Sequence, residues 1–317
     1  MKKIISKRHP FKFYLTTVLG FVFFILLATA MLFIFKKELN SGALETKSYF
    51  LPLASLCVYV LAFYTVYKYY KNAPLLELDK QTITIGKQTF SWSDVKKIEL
   101  TGKWNFSFIG SFPMEGFEIE FHDGTSKVIF DDVYSNSWEI KSFIQNVIID
   151  KKDVQSLNAT KVSINDTKFE QFDVFKGNQF TSFRGIALWG FIVFFTLMLL
   201  TKNRFPETKG FIFLVIMAVF WFIFFSHQMN YFSCSKNFFI VKNHNFLWQN
   251  KIFKLTDIKE IVFEAQNNQP NSLRIITKDF RNKLFSAGTL RDRNWLEMKR
   301  VLEKYTIEVR NECIPED

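Results

Sequence analysis

The sequence predicts a membrane α-helical protein, with four transmembrane helices set as two hairpins, and two α+β domains in which short antiparallel strands precede a closing helix. Three observations point there. Runs at 14–35, 49–67, 185–201 and 210–226 carry no Lys, Arg, Asp or Glu, as membrane spans require. The octapeptide Ser-Trp-Ser-Asp-Val-Lys-Lys-Ile at 91–98 returns as Lys-Leu-Thr-Asp-Ile-Lys-Glu-Ile at 254–261, each time after a pair of those runs, so the chain reads as one module written twice. Between the runs, strand-like alternation gives way to helical periodicity in the same order in both halves.

Residues 1–13 form a basic tail carrying Lys2, Lys3, Lys7, Arg8 and Lys12. The hairpin at 14–70 follows. At about 1.5 Å per residue the first run reaches roughly 33 Å and the third about 25 Å, near the lower limit for a span. Ala28-Thr29-Ala30 resembles a signal-peptide cleavage site, but Met31 to Phe35 continue the apolar run, which suits an anchor better. The hairpin loops carry three basic residues each, Lys36, Lys37 and Lys47, then Lys202, Arg204 and Lys209. The larger basic excess of the tail places it on the cytoplasmic side of an inner membrane, and two hairpins return both polar domains to that side.

The first domain, 73–150, has strand-like pieces at 75–78, 82–85, 88–92, 95–101, 117–121 and 128–130, with Asp123-Gly124 marking a tight hairpin. Ile140, Phe143, Ile144, Val147 and Ile148 share one helical face, and Asn136 with Glu139 has capping-box spacing. A polar linker at 151–184 ends in Phe169, Phe172, Val174, Phe175, Phe180 and Phe183, which suit either a membrane interface or a short strand packed on the first domain. The second hairpin occupies 185–229. The second domain, 231–310, repeats the order with strands at 238–241, 246–248, 258–263 and 273–277, Asn294 and Glu297 at cap spacing, and Met298, Val301, Leu302 and Tyr305 as its helical stripe. A tail, 311–317, closes the chain.

The two stretches Phe90-Ser-Trp-Ser-Asp-Val-Lys-Lys-Ile98 and Phe253-Lys-Leu-Thr-Asp-Ile-Lys-Glu-Ile261, each leading from a turn into a strand and followed by a closing helix, are similar to bacterial pleckstrin-homology-like (PH-like) domains of membrane proteins. The resemblance covers about half of the chain. It implies a barrel or sandwich of short strands capped by a helix, and a role in binding or assembly. It carries over no catalytic residue, and in the first copy an early basic loop of the lipid-binding type is represented only by Lys80 and Lys87.

Asp94 and Asp257 suit turns, where a carboxylate accepts backbone N–H groups, and Trp92, Trp138 and Trp295 suit core anchoring. No phosphate-cradling glycine loop, zinc-protease helix or nucleophile elbow is present, so neither a catalytic residue nor a cofactor is expected. His227, Cys234 and His244 have no zinc-site spacing, and Cys57, Cys234 and Cys313 imply no disulfide framework. No Asp, Glu, Lys, Arg or His lies in the four runs, which weakens a transport path. Gly20, Ala28, Ala54 and Gly190 are candidate close-contact points between helices.

The net charge of +11 hides a division. Residues 73–150 hold seven basic against twelve acidic side chains, a balance of −5, and residues 231–317 hold fifteen against eleven, a balance of +4. No dense basic stripe indicates nucleic acid. Arg274, Lys278, Arg281, Lys283, Arg291 and Arg293 form the candidate basic surface patch, suited to anionic headgroups or to an acidic protein surface. The expectation is a non-enzymatic integral membrane protein presenting two cytoplasmic domains to membrane lipids, a protein partner or a second copy, in a scaffold, assembly or envelope-regulatory role. A small-molecule or lipid transporter with its path between the hairpins is the alternative, and a membrane enzyme with an unrecognised site the third.

Overall fold

The computed structural model describes residues 3–42, 45–108, 110–152, 167–201, 208–265 and 269–316. The chain divides into two compact units, Met1–Gln155 and Ser156–Asp317.

Unit 1 begins with a strand in the segment that reads as a tail. β1 (Ile4–Ile5) runs antiparallel to β2 (Leu76–Leu78), with Ile4 opposite Leu78. Ser6 extends the pairing, its N–H donating to Leu76 O at 2.8 Å and its Oγ accepting from Leu76 N at 2.8 Å. Between these partners lie a π-helical turn at Pro10–Leu15, α1 (Thr16–Ser41) and α2 (Phe50–Asn72). β3 (Thr82–Ile85) and β4 (Gln88–Ser91) complete a four-stranded sheet in the order β1-β2-β3-β4. A 3-10 turn leads into β5 (Val95–Glu99) and β6 (Lys103–Ser107), which pair in succession with the long β7 (Ser111–Phe121), while β8 (Ser126–Phe130) also pairs with β7. α3 (Ser137–Phe143) and a π-helical turn at Ile144–Ile149 close the unit.

The helices of this hairpin bury small residues and expose large ones. Ala28 is the buried residue of α1, and Ser55, Ala62 and Thr65 are those of α2. Ser55 Oγ donates to Ala28 O across the pair at 2.8 Å, an approach that small side chains permit. Phe23, Phe33 and Leu53 are exposed. Among the described residues, three helical stretches are long and apolar enough to cross a membrane by length and composition: Pro10–Ser41, Thr46–Asn72 and Gly210–His227; the apolar stretch Phe183–Met198 is shorter.

Unit 2 runs through its elements in a matching order. β9 (Asp173–Phe175) comes first, then α4 (Phe183–Thr201) and α5 (Thr208–His227), then β10 (Asn230–Cys234), β11 (Phe238–Asn243) and β12 (Asn250–Lys254), in a sheet ordered β12-β11-β10-β9. A 3-10 turn at Leu255–Asp257 leads to β13 (Ile258–Glu264), β14 (Ser272–Thr277) and β15 (Asn282–Ser286). α6 (Asp292–Lys304) and β16 (Glu308–Asn311) follow, the latter parallel to β13. The core centres on Trp295, fully buried, with its ring 4.9 Å from Phe263 and 5.9 Å from Phe232. Met298 and Leu302 lie one and two turns farther along the same helix face, and burial of such side chains stabilises by about 1.5–3 kcal/mol each.

Several expectations change. Ile4–Ile5 belongs to a sheet rather than to a free tail, and Asp173–Phe175 pairs with β10 rather than packing on the first domain. Phe246–Trp248 is part of a loop, not a strand; the strand there is Asn250–Lys254. Residues 311–316 are folded back, with Ile314 buried and its N–H bonded to Asn311 Oδ1 at 3.0 Å. α6 starts at Asp292, so Asn294 lies inside it and its Oδ1 accepts from Arg291 N. Asn136 is the N-cap residue of α3 and bonds Glu139 Oε2 at 3.4 Å as its spacing predicts, but its side chain caps no helix N–H, because its oxygen accepts from Lys7 N and its amide N–H donates to Ile5 O. Asp94 does sit at a turn, where its carboxylate accepts from Ser91 N, three residues before it. A Cβ at Gly20 or Gly190 meets nothing within 4 Å, so neither is a close-contact point; Ala28 and Ser55 take that role in the first hairpin. Trp92 and Trp138 are half-buried, leaving Trp295 as the core anchor.

Candidate functional site

The six basic residues do not form one surface. Arg274 is buried: its Nη2 lies 2.9 Å from Glu264 Oε1, its Nε 3.3 Å from the same oxygen, and its Nη1 3.3 Å from Asn282 Oδ1. β14 lies between β13 and β15, so the charge that a sequence presents as surface is a cross-strand ion pair. Arg281 is half-buried and paired with Asp279 at 3.0 Å. Lys278 and Lys283 are exposed, at the β14–β15 turn and on β15. Arg291 and Arg293 are exposed at the start of α6. The five residues of β15 span about 17 Å, which separates the turn from the segment leading to α6.

Where each hairpin enters its unit, polar groups tie helix ends to the strands. In unit 1, Arg8 donates to Ala73 O through Nε at 3.0 Å and Nη2 at 2.8 Å, and its guanidinium lies 4.7 Å from the Tyr70 ring and 5.1 Å from the Phe13 ring. Tyr134 donates to Pro74 O, and burial pushes its hydroxyl pKa up. In unit 2, Asn243 Nδ2 donates to Ser226 O at 2.8 Å and Asn230 Nδ2 to Ser286 O at 2.8 Å. Buried His244 bonds Gln179 Oε1 through Nδ1 at 3.2 Å and Thr289 Oγ1 through Nε2 at 3.3 Å. Burial and the nearby Lys176 hold its pKa down at about 4, so the ring is neutral, donating from Nδ1 and accepting at Nε2. Gly177 lets the chain after β9 pass close to this network, since a Cβ there would lie 1.7 Å from Thr289 O.

Beside this junction a cleft opens between the two sheets of unit 2, lined by His227, Asn230, Gln249, Lys251, Leu284 and Phe285 among others. It is built from edge strands. Lys251 and Phe253 alternate along β12, Lys283 and Phe285 along β15, and they cross: Lys251 Nζ lies 5.0 Å from the Phe285 ring, Lys283 Nζ 5.8 Å from the Phe253 ring, with the two rings 6.2 Å apart. Neither ammonium has a carboxylate partner among the described residues. Apolar surroundings, and secondarily Lys283, hold the Lys251 pKa below the usual lysine range. The β11–β12 loop, residues 244–249, borders the cleft and leaves Leu247 and Trp248 about three-quarters exposed.

Of the predicted patch, only Lys283 lies beside this cleft, on β15 next to the lining residues Leu284 and Phe285. Lys251 lies 23 positions before Arg274, outside the dense basic run that the sequence singles out. Cys234 lies in the core with its thiol pushed up to about 12, mainly by burial, whereas His227 lines the cleft and His244 the junction. No protein-family model and no curated protein matches this chain.

Proposed function

We propose that the chain is a non-enzymatic integral membrane protein in which two membrane hairpins, four spans in all, each carry a PH-like domain on the cytoplasmic side. The domains act as interaction surfaces in a scaffold, assembly or envelope-regulatory role, and the two halves are diverged copies of one module. One observation carries this reading: in each unit the apolar helix pair is inserted between the first and second strands of a four-stranded sheet. Eight strands in unit 1 and seven in unit 2, in two sheets followed by a helix, with the apolar helix pair spliced in after the first strand, tie the position of each domain to its hairpin.

Sidedness is tested with Ser93→Cys and Lys278→Cys, separately, in a background lacking Cys57, Cys234 and Cys313. An impermeant maleimide should label neither position in intact cells and both after permeabilisation; labelling of either in intact cells sinks the proposed orientation. Crosslinking in native membranes should recover a discrete partner or a second copy. Reproducible conversion of a substrate by the purified protein would overturn the non-enzymatic role.

A further inference from the structure

We propose that the Lys251–Lys283 cleft binds the phosphate of an anionic phospholipid headgroup, held beside the end of α5 by the Leu247–Trp248 loop. The proposal rests on the reading that α5 crosses the membrane. Two ammonium groups face the same pair of phenylalanine rings from opposite sheets without a carboxylate partner among the described residues. Like charges brought together near apolar surface repel, and an anion between them converts that repulsion into attraction. His227 and Gln249 line the cleft together with Lys251, Lys283 lying beside it, and add hydrogen-bonding capacity.

Placement selects a lipid as the source of the phosphate. His227 ends α5 and Asn230 begins β10. The register sets Asn243 opposite Asn230 and Asn250 opposite Lys242, so Lys251 lies near the α5 end of the sheet. On β15, Ser286 is bonded to Asn230 and Phe285 is the next residue. The loop reaches beside the helix: the Phe246 ring is 6.3 Å from Phe222, about 7.5 Å along the axis before His227. Exposed Leu247 and Trp248 at that level have the chemistry of the headgroup–acyl boundary, which sets the lysines at phosphate depth.

Among the described residues, unit 1 lacks this arrangement. β3 and β4 are joined by Gly86 and Lys87 alone, with no aromatic loop, and Gln88 takes the place on β4 that Lys251 takes on β12, two residues before Phe90 and Phe253 respectively. The site is therefore a property of unit 2.

The full chain, reconstituted in nanodiscs of phosphatidylcholine with or without phosphatidylglycerol and released for native mass spectrometry, reports the retained lipid. Wild type should retain phosphatidylglycerol selectively. The Lys251→Gln/Lys283→Gln variant should lose roughly thirtyfold in that retention, from two lysines at an anionic surface, while Lys251→Arg/Lys283→Arg retains it and Trp248→Ser weakens it. Equal retention by the Gln variant overturns the proposal. So does displacement of the lipid by millimolar inorganic phosphate, which would identify a free anion as the occupant. If the Gln pair fails to match the wild-type melting curve, Lys283→Gln alone is read, with the same outcomes. Extraction of wild type from membranes by carbonate would instead bring down the membrane reading, a result separable from unchanged lipid retention in protein that stays membrane-bound.

Discussion

At the scale of single residues, charge is informative only when its surroundings are known. Arg274 and Lys141 are basic in sequence and buried in structure, Arg274 against Glu264 and Lys141 against Asp131, with Nζ 2.6 Å from Oδ2. Removing one partner of such a pair strands the other charge in a poor solvent, at a cost of about 3–5 kcal/mol. Arg274→Met should lower the melting temperature of the detergent-purified chain by that measure, followed by tryptophan fluorescence, and Arg274→Met/Glu264→Gln should recover most of the loss; equal losses would refute the coupling. The β14–β15 turn gives a contrast. Gly124 takes φ +82° without steric cost in the β7–β8 hairpin, whereas Phe280 takes φ +60° and is buried beneath Lys259 Nζ, 4.3 Å from its ring. A left-handed phenylalanine is costly, and here its ring contact offsets the backbone cost.

At the scale of elements, the legible parts were those with enough residues to show a period. Thr82–Ile85, Ile258–Glu264, Ser272–Thr277 and α6 match the alternation or stripe that predicted them, with small shifts at their ends. β1 has two residues between Lys3 and Ser6, and β9 has three inside a phenylalanine-rich stretch; neither is long enough to show a period, and each is fixed by a partner strand beyond a helix pair. Phe246–Trp248 failed for another reason. An apolar triplet reads as buried, yet Trp248 is exposed in its loop. The same gap hid the cleft, since its lysines come from two edge strands more than thirty positions apart. The pairing of β1 with β2 has a direct test. With a protease site inserted after Gly42 and cut, the fragment ending at Gly42 should stay with the remainder through purification in mild detergent. The same cut combined with Ile4→Pro, which removes a ladder donor, should release more of the fragment, and equal retention would show that the helices alone hold it.

At the scale of the whole chain, the two units share an order of elements and differ in what they carry. Unit 1 has a two-residue turn where unit 2 has the six-residue loop 244–249, and among the described residues unit 2 alone has a strand after its closing helix, β16, and the crossed lysine–phenylalanine pairs. The acidic and basic balances of the two domains point the same way. Each unit has its own compact set of contacts, so calorimetry of the detergent-purified chain should resolve two transitions. His244 labels one of them. Its folded pKa, about 4, lies below the value of about 6.5 for an unfolded histidine. The stability from its neutral ring is therefore complete above about pH 6.5 and is lost as the pH falls toward about 4. Between pH 7.5 and 5 the unit 2 transition should move down more in wild type than in His244→Asn; one transition, or equal shifts in both proteins, contradicts this picture.

The first strand also has a consequence for how the protein is made. Ile4 meets Leu78 only after both helices between them have left the ribosome, and Phe175 meets Phe232 only after the second pair has done so. Until then β2 and β10 present open edges, which invite mispairing. Each sheet therefore lacks its first pairing until its helix pair has been made, and a chain interrupted within either pair leaves an unfinished sheet for quality-control proteases to find.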